Sequence, residues 1–194
     1  ARSRIIRKLS KVSKAFCAVC VEEEIVLKNE KKIAFLVRKS DEVRCAAALE
    51  SLQALRLPTG YEAELFTLAA EEPYAAQANK ALTLSDAKFK IYLNDDIRLA
   101  EPDVLGELLQ IFEDESISMV GFLGSASLPA SGNLMESPYV CGAAYVPSEE
   151  GRRDLRFGRG TVGECRSVRV LAPSFFATHH AYLTDDVPDE TQFL

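Results

Sequence analysis

The stretch DAKFKIYLNDDIRL, residues 86–99, joins an apolar run to a pair of acids. Apolar side chains alternate along its first half, at Phe89, Ile91 and Leu93. This alternation predicts a strand, and the strand runs directly into Asp95 and Asp96. Two adjacent carboxylates repel each other and resist desolvation, so this ending costs free energy. The pair is therefore either a solvated turn or one side of a site that holds a positive charge.

Strand and helix patterns alternate on both sides of this stretch. Strands are predicted at 33–37, 61–68, 88–93 and 117–123, and helices at 41–56, 74–84 and 101–112. Two further short strands are predicted at 166–171 and 174–178, after a segment rich in Gly, Pro and Ser. Such alternation indicates an α/β fold with a mainly parallel sheet and helices on both faces. We predict one domain at 31–194, with a regular half at 31–123 and an irregular half at 124–194.

Composition excludes several classes of protein. The chain has 194 residues, of which 47% are hydrophobic and 27% charged, as in ordinary globular domains. Its net charge of −6 argues against a general nucleic-acid binder. No apolar run is long enough to span a bilayer, and no signal peptide opens the chain, so we expect a cytoplasmic protein.

The first 30 residues form a separate basic segment and its connection. Residues 1–14 hold six Lys or Arg and no acid, and an apolar stripe recurs at helical spacing at Ile5, Ile6, Leu9, Val12 and Phe16. One interpretation is a helix lying on an anionic membrane surface, which would place the protein at the inner face of the membrane. The other is a helix packed on the domain with its basic side in water.

The acid pair lies where an open α/β sheet usually binds its ligand. Ligands occupy the crevice outside the carboxyl ends of the strands, and Asp95 and Asp96 follow a strand at such an end. Carboxylate oxygens there suit Mg²⁺ or Mn²⁺, which in turn neutralises a diphosphate. The alternative is a solvated Asn-Asp-Asp turn, since Asn and Asp favour turns.

Four segments carry a resemblance to a known family. They are ANKALTLSDAKFKIYLNDDI (78–97), LPTGYEAELFTL (57–68), ISMVGFLGS (117–125) and VRVLAPSFFATHHAYLTDDVPDE (168–190). In this order they resemble the family-2-type glycosyltransferases of the GT-A fold, in the branch described as a glycosyltransferase-like family. The resemblance covers residues 31–190 and implies that 31–123 is a nucleotide-binding half and 124–194 an acceptor half.

The resemblance implies a hexosyltransferase-like enzyme. It would move a sugar from a nucleotide-diphosphate donor to an acceptor hydroxyl, in glycan synthesis, with Mn²⁺ or Mg²⁺ as cofactor. The implied donor-binding residues are Val37, Arg38, Lys39, Asn79 and Asp95, and the implied metal ligands are Asp96 and His179. Asp95 would hold the ribose or a metal-bound water. Asp189 and Glu190 would be the candidate bases for the acceptor hydroxyl.

Two departures from the family pattern leave alternatives open. Ala172-Pro173 stands where the branch has Asp-Gly, and His179 stands where it has Arg. A further acidic segment of the family would fall beyond Leu194, so the chain is either a fragment or a non-catalytic module that binds a nucleotide sugar or a protein. The arginine-rich stretch 151–169 is either a flap over a diphosphate or a solvated loop.

Overall fold

The computed structural model describes residues 29–71, 77, 84–148, 151–158 and 165–179, with the backbone alone at 147, 148, 151, 152 and 154. The predicted basic helix, most of the predicted helix at 74–84, and residues 180–194 lie outside these ranges.

Nine strands and two α-helices make up the described regular structure. The strands are β1 (Asn29–Lys39), β2 (Glu62–Ala69), β3 (Ala87–Asn94), β4 (Met119–Val120), β5 (Leu123–Ser125), β6 (Val140–Ser148), β7 (Gly151–Phe157), β8 (Val170–Leu171) and β9 (Phe175–His179). The helices are α1 (Glu42–Gln53) and α2 (Val104–Ile111), and a 3₁₀ turn spans Leu134–Glu136. None of the helices in the described ranges could reach across a bilayer as an apolar span.

A five-stranded sheet in the order β2-β1-β3-β9-β4 forms the centre of the fold. β1 pairs in parallel with β2 and β3, whereas β9 is antiparallel to both of its neighbours, β3 and β4. The expected mainly parallel sheet is thus not confirmed, and the sheet is mixed. The reason lies in the chain path, because β9 enters the sheet from the edge at which β1, β2 and β3 end. We call this edge the carboxyl edge.

Both described helices cover the same face of this sheet. Their buried side chains, Cys45, Ala48 and Leu52 from α1 and Val104, Leu105 and Leu108 from α2, join one core with Ile33, Phe35, Val37, Phe89, Ile91 and Leu93. Asp41 caps α1, since its carboxylate accepts from the N–H of Arg44 at 2.9 Å. The opposite face buries a smaller apolar cluster around Leu36 and Tyr92. A helix on this second face therefore stays a prediction.

A four-stranded antiparallel sheet, in the order β7-β6-β5-β8, lies beyond the carboxyl edge. The chain leaves the five-stranded sheet at β4, builds this antiparallel sheet, and returns through 172–174 into β9. The N–H of Asn94 donates to the carbonyl of Ser174 at 3.0 Å, so the returning segment touches the end of β3. The strand predicted at 117–123 is split into β4 and β5, and the β6–β7 hairpin was not predicted.

One glycine sets the contact between β5 and β6. Gly142 has φ = +130°, and a Cβ built there would stand 2.0 Å from the carbonyl oxygen of Phe122. Any side chain would therefore need both an unfavourable backbone conformation and a backbone shift. The antiparallel sheet depends on glycine at this position.

Candidate functional site

The end of β1 and the end of β3 lie side by side at the carboxyl edge. Arg38 pairs with Asn94 across the two strands, and the N–H of Asp95 donates to the carbonyl of Arg38 at 3.1 Å. The segments 37–40 and 94–97 are thus adjacent, as the crevice rule for parallel strands predicts. Of the residues predicted from the sequence, this edge brings together Val37, Arg38, Lys39, Asp95 and Asp96.

The carboxylate of Asp95 is held by the turn between β1 and α1. Asp95 is only 2% exposed, and its Oδ2 accepts from the N–H of Ser40 at 2.6 Å and of Asp41 at 2.7 Å. The hydroxyl of Ser40 donates to Oδ1 at 2.9 Å. These N–H groups precede α1, where the helix dipole also favours negative charge. The sequence left open what positive partner the acid pair has. For Asp95, that partner is the start of α1.

These bonds also fix the charge state of Asp95. Burial alone would raise its pKa, but the hydrogen bonds from Ser40 and Asp41 favour the ionised carboxylate and outweigh burial. Arg44 adds to this effect, with its Nε 4.0 Å from Oδ1. The pKa of Asp95 therefore lies below its ordinary value. At neutral pH the side chain is an anion that ties β3 to the turn after β1.

Arginine side chains brace the same edge. Arg98 donates to the carbonyls of Asp95 at 2.7 Å, Ile97 at 2.8 Å and Arg44 at 2.8 Å, so it joins the turn after β3 to α1. Arg38 donates to the carbonyl of Ala70 at 2.9 Å and so fixes the end of β2. Sequence reasoning missed the bracing role of Arg98, because three carbonyl acceptors leave no pattern in a sequence.

Each side chain predicted to bind the donor has a distinct environment. Val37 is fully buried in the core, so only its backbone can face a ligand. Lys39 forms an ion pair with Glu42 in the first turn of α1, and this bond raises the pKa of Lys39. Asn79 lies outside the described residues, as do Asp189 and Glu190.

Two oxygen-bearing side chains, Asn94 and Asp96, flank Asp95 at the end of β3. Asp96 is exposed at the carboxyl edge. The Oδ1 of Asn94 is buried and accepts no hydrogen bond from any residue in the described ranges. A buried acceptor without a donor costs about 1–3 kcal/mol, which a bound cation or a ligand hydroxyl would recover. Amide and carboxylate oxygens are ligands that Mg²⁺ and Mn²⁺ accept, so this pair fits the expected cofactor.

A complete protein cage for a metal is not seen at this edge. Within the parts of the chain that the structure describes, no three His, Cys, Asp or Glu side chains converge on one point. A divalent ion at Asn94 and Asp96 would therefore draw further ligands from outside these residues. Phosphate oxygens of a donor and water are the usual source for Mg²⁺ in such sites.

His179 lies at the opposite edge of the sheet. It pairs with Phe89, near the start of β3, which is about 20 Å along the strand from Asp95 at ~3.3 Å per residue. Its ring meets Phe112 edge to face at 5.2 Å, and its Nε2 lies 3.2 Å from the carbonyl oxygen of Ile117. The prediction that His179 shares a metal with Asp96 is corrected by this geometry, since the reversed direction of β9 carries the histidine away.

Burial of His179 makes stability depend on pH. Burial lowers the pKa of His179, and the contact with Ile117 offsets this only in part. The unfolded chain therefore takes up a proton first, near its ordinary pKa of about 6.5, and the stabilisation by neutral His179 is lost as the pH falls below that value. We expect His179→Phe to flatten the fall in urea-unfolding free energy between pH 7 and pH 5.

Equal slopes for the parent and His179→Phe would show that His179 does not titrate on unfolding.

A known protein family matches most of the chain. Residues 34–188, well over half of the chain, match a family described as "Glycosyltransferase like family". No curated protein matches the chain. The matched range includes β3, Asn94, Asp95 and Asp96, and thus the whole carboxyl-edge site.

Proposed function

This chain belongs to a glycosyltransferase-like family, and from that membership we propose that it transfers a sugar from a nucleotide-diphosphate donor to an acceptor hydroxyl. The family supports a general glycosyltransferase function. The mixed α/β sheet is compatible with a GT-A-like domain. The donor, the divalent cation and the chemical step are the parts that we propose.

The observation that carries the proposal is the pair of oxygens beside Asp95. We assign Asp96 and the orphaned Oδ1 of Asn94 to a Mn²⁺ or Mg²⁺ ion that arrives with the donor. When bound, such an ion neutralises the diphosphate as it departs. The two side chains would hold the ion at the end of β3, next to the turn that contains Lys39 and Ser40.

Asp95 has a different part in this proposal. Its oxygens already accept the N–H groups of Ser40 and Asp41, so it is a positioning residue for the turn that meets the donor. A contact between Asp95 and the ribose, as the resemblance implies, would use the remaining acceptor capacity of the carboxylate. Asn79 would touch the donor, and Asp189 or Glu190 would take the proton of the acceptor hydroxyl. We also propose a cytoplasmic protein whose basic segment 1–16 contacts anionic membrane lipids.

The experiment that tests the donor site is a thermal-shift panel of nucleoside diphosphates with and without Mn²⁺. A ligand that binds only the folded state raises the melting temperature by mass action. We expect one diphosphate to do so in Mn²⁺, and we expect Asp96→Ala to lower its affinity at least about tenfold, as loss of a charged ligand should.

Glu113→Ala removes an exposed carboxylate just beyond α2 and is the matched control. It should bind the diphosphate as the parent does. Unchanged affinity in Asp96→Ala would remove the proposed metal ligand, and a panel without any shift would contradict the nucleotide site.

A further inference from the structure

The two edges of the five-stranded sheet differ in length. At one edge β4 has only two residues, whereas at the other edge β2 has eight and pairs with β1 in one unbroken register. Proteins usually protect an edge strand by keeping it short or by placing a proline, a lysine or a bulge in it. β2 contains no proline, lysine, arginine or glycine. This edge is therefore long and regular, and it lacks these protections.

Alternate residues of β2 point their backbone groups away from β1. The N–H of Ala70 donates to the carbonyl of Lys39 on β1 at 3.0 Å, so the even-numbered residues of this parallel pair bond to β1. The N–H and C=O groups of Ala63, Leu65 and Thr67 therefore point outward, and no residue in the described ranges bonds to them. We call these three residues the open edge.

The backbone groups beyond both ends of the open edge are already bonded. The N–H of Tyr61 donates to the carbonyl of Pro58 at 3.0 Å, in the turn before β2. The carbonyl of Ala69 accepts from the side-chain amide of Gln77, which is buried. The open edge thus offers a defined length of strand, residues 63–67, to a partner.

The side chains of the open edge are uncovered as well. Leu65 stands opposite Phe35 of β1, so both lie on the face that α1 and α2 cover. Phe35 is 4% exposed, whereas Leu65 is 41% exposed. Ala63 and Thr67 share the face of Leu65 and are exposed too. The cover provided by the helices therefore ends at β1 and leaves a leucine bare on the edge strand.

A second copy of β2 fits the open edge when the two strands run antiparallel with Leu65 at the centre. Leu65 then faces Leu65 of the partner subunit, and Ala63 faces Thr67 of the partner subunit. Because the backbone groups of all these residues point outward, each is part of a hydrogen-bonded pair, and about six backbone hydrogen bonds form. Each acid of β2 lies opposite an apolar residue of the partner.

Other registers are less favourable. A shift of the centre by one or two residues towards the start of β2 sets Glu64 opposite Glu64 or Glu62 of the partner subunit, and like charges directly opposite destabilise a sheet. A shift towards the end of β2 brings in Ala69, whose carbonyl is already bonded to Gln77. The open edge is therefore complementary to itself in one register, as a two-fold interface requires.

We propose that the protein forms a two-fold symmetric dimer in which β2 pairs antiparallel with β2 of a second copy. The two five-stranded sheets then become one continuous sheet, the mode of association known as strand addition. The pairing uses no residue assigned to the donor, so it does not rest on the proposed function.

Introduced cysteines test the register. Leu65→Cys should be linked to itself by a bifunctional thiol reagent that spans about 5.5 Å, the distance between directly paired residues. Ala63→Cys should not link to itself, because its two copies would lie roughly 14 Å apart along the strands. A mixture of Ala63→Cys and Thr67→Cys should link after the subunits exchange. The parent, which has five cysteines of its own, gives the background.

Sedimentation velocity over a range of protein concentrations tests the dimer itself. The parent should sediment with twice the mass of the chain. Leu65→Lys should raise the dissociation constant of the dimer at least about tenfold, because two ammonium groups would face each other. Leu128→Lys is the matched control, since Leu128 is 50% exposed in the connection between β5 and β6 and should leave the dimer as in the parent.

Three results would overturn the proposal. They are a parent that stays monomeric, a dimer that Leu65→Lys weakens no more than Leu128→Lys does, and a dimer in which Ala63→Cys links to itself but Leu65→Cys does not. The far-UV circular dichroism of Leu65→Lys should match that of the parent, which shows that the fold survives. Binding of a nucleoside diphosphate with Mn²⁺ is a separate readout. A dimer without diphosphate binding would contradict the proposed donor site and leave the dimer established.

Discussion

Asp95→Asn is expected to lower the free energy of unfolding by about 2–4 kcal/mol, as breaking a buried charged hydrogen-bond network does. The carboxylate is 2% exposed and accepts three hydrogen bonds from Ser40 and Asp41. Asparagine has nearly the same shape but replaces one acceptor oxygen by an NH₂ group. With the amide oxygen in the place of Oδ2, both N–H groups keep an acceptor but lose its negative charge, and the NH₂ group replaces the oxygen to which the Ser40 hydroxyl donates. Urea unfolding at pH 7 measures the change.

The pH dependence of this loss has a definite sign. Because the folded-state pKa of Asp95 is depressed, its stabilisation is complete above the unfolded-state pKa of about 3.9. The stabilisation is lost as the pH falls from there through the folded-state pKa. The difference between the parent and Asp95→Asn should therefore be constant from pH 5 to pH 7 and shrink below pH 4.

Ser40→Ala is the control for Asp95→Asn. It removes the hydroxyl, which donates to Asp95 and accepts from Arg44, and it leaves both N–H groups bonded to Asp95, so we expect a loss of about 1 kcal/mol. The affinity for the nucleotide-diphosphate donor should also fall in Asp95→Asn, because the turn after β1 is held less firmly. A stable Asp95→Asn protein with parental donor affinity would show that the bonds to Ser40 and Asp41 matter neither for the fold nor for the site.

Gly142→Ala is expected to destabilise the protein by more than about 3 kcal/mol, at the exceptional end of single substitutions. The new Cβ would meet the carbonyl oxygen of Phe122 at 2.0 Å in a backbone conformation with φ = +130°. Neither β5 nor β6 can yield without breaking their pairing, because the obstacle is backbone. Thermal unfolding, together with the soluble yield, measures the effect.

Gly106→Ala is expected to have the opposite effect on the stability of the same protein. Gly106 lies within α2, and a Cβ there meets nothing within 4 Å. Alanine should stabilise the helix by about 0.5–1 kcal/mol, because glycine loses more backbone freedom on folding. If Gly142→Ala unfolded at the temperature of the parent, the close approach of β5 and β6 would have no energetic weight.

The sequence predicts the parts of the fold whose signal is local. The apolar alternation at 88–93 and the helical face at 41–56 correspond to β3 and α1 within a few residues. The adjacency of 37–40 and 94–97 also follows, because parallel neighbours must end at one edge. Each of these features depends on periodicity or on a general rule of parallel sheets.

The features that sequence reasoning missed depend on contacts between distant residues. The acceptor role of Asp95 needs Ser40, which is 55 residues away, and only the signal of a Ser-Asp pair at a helix start could have suggested it. The direction of β9 follows from the path through the antiparallel sheet, and that sheet comes from residues without a clear periodicity. His179 was placed wrongly for that reason alone.

The pairing of β4 with β9 has a consequence for how this fold can vary. The segment between them leaves and re-enters the five-stranded sheet through neighbouring strands, so its two ends are held together by ladder hydrogen bonds. Closing a longer segment between such fixed ends costs little, about 0.6 kcal/mol for each doubling of length. The segment between β4 and β9 can therefore be lengthened, shortened or exchanged while Asn94 and Asp96 stay in place. If the proposed function holds, acceptor preference can differ between members of the family without any change at the proposed donor site.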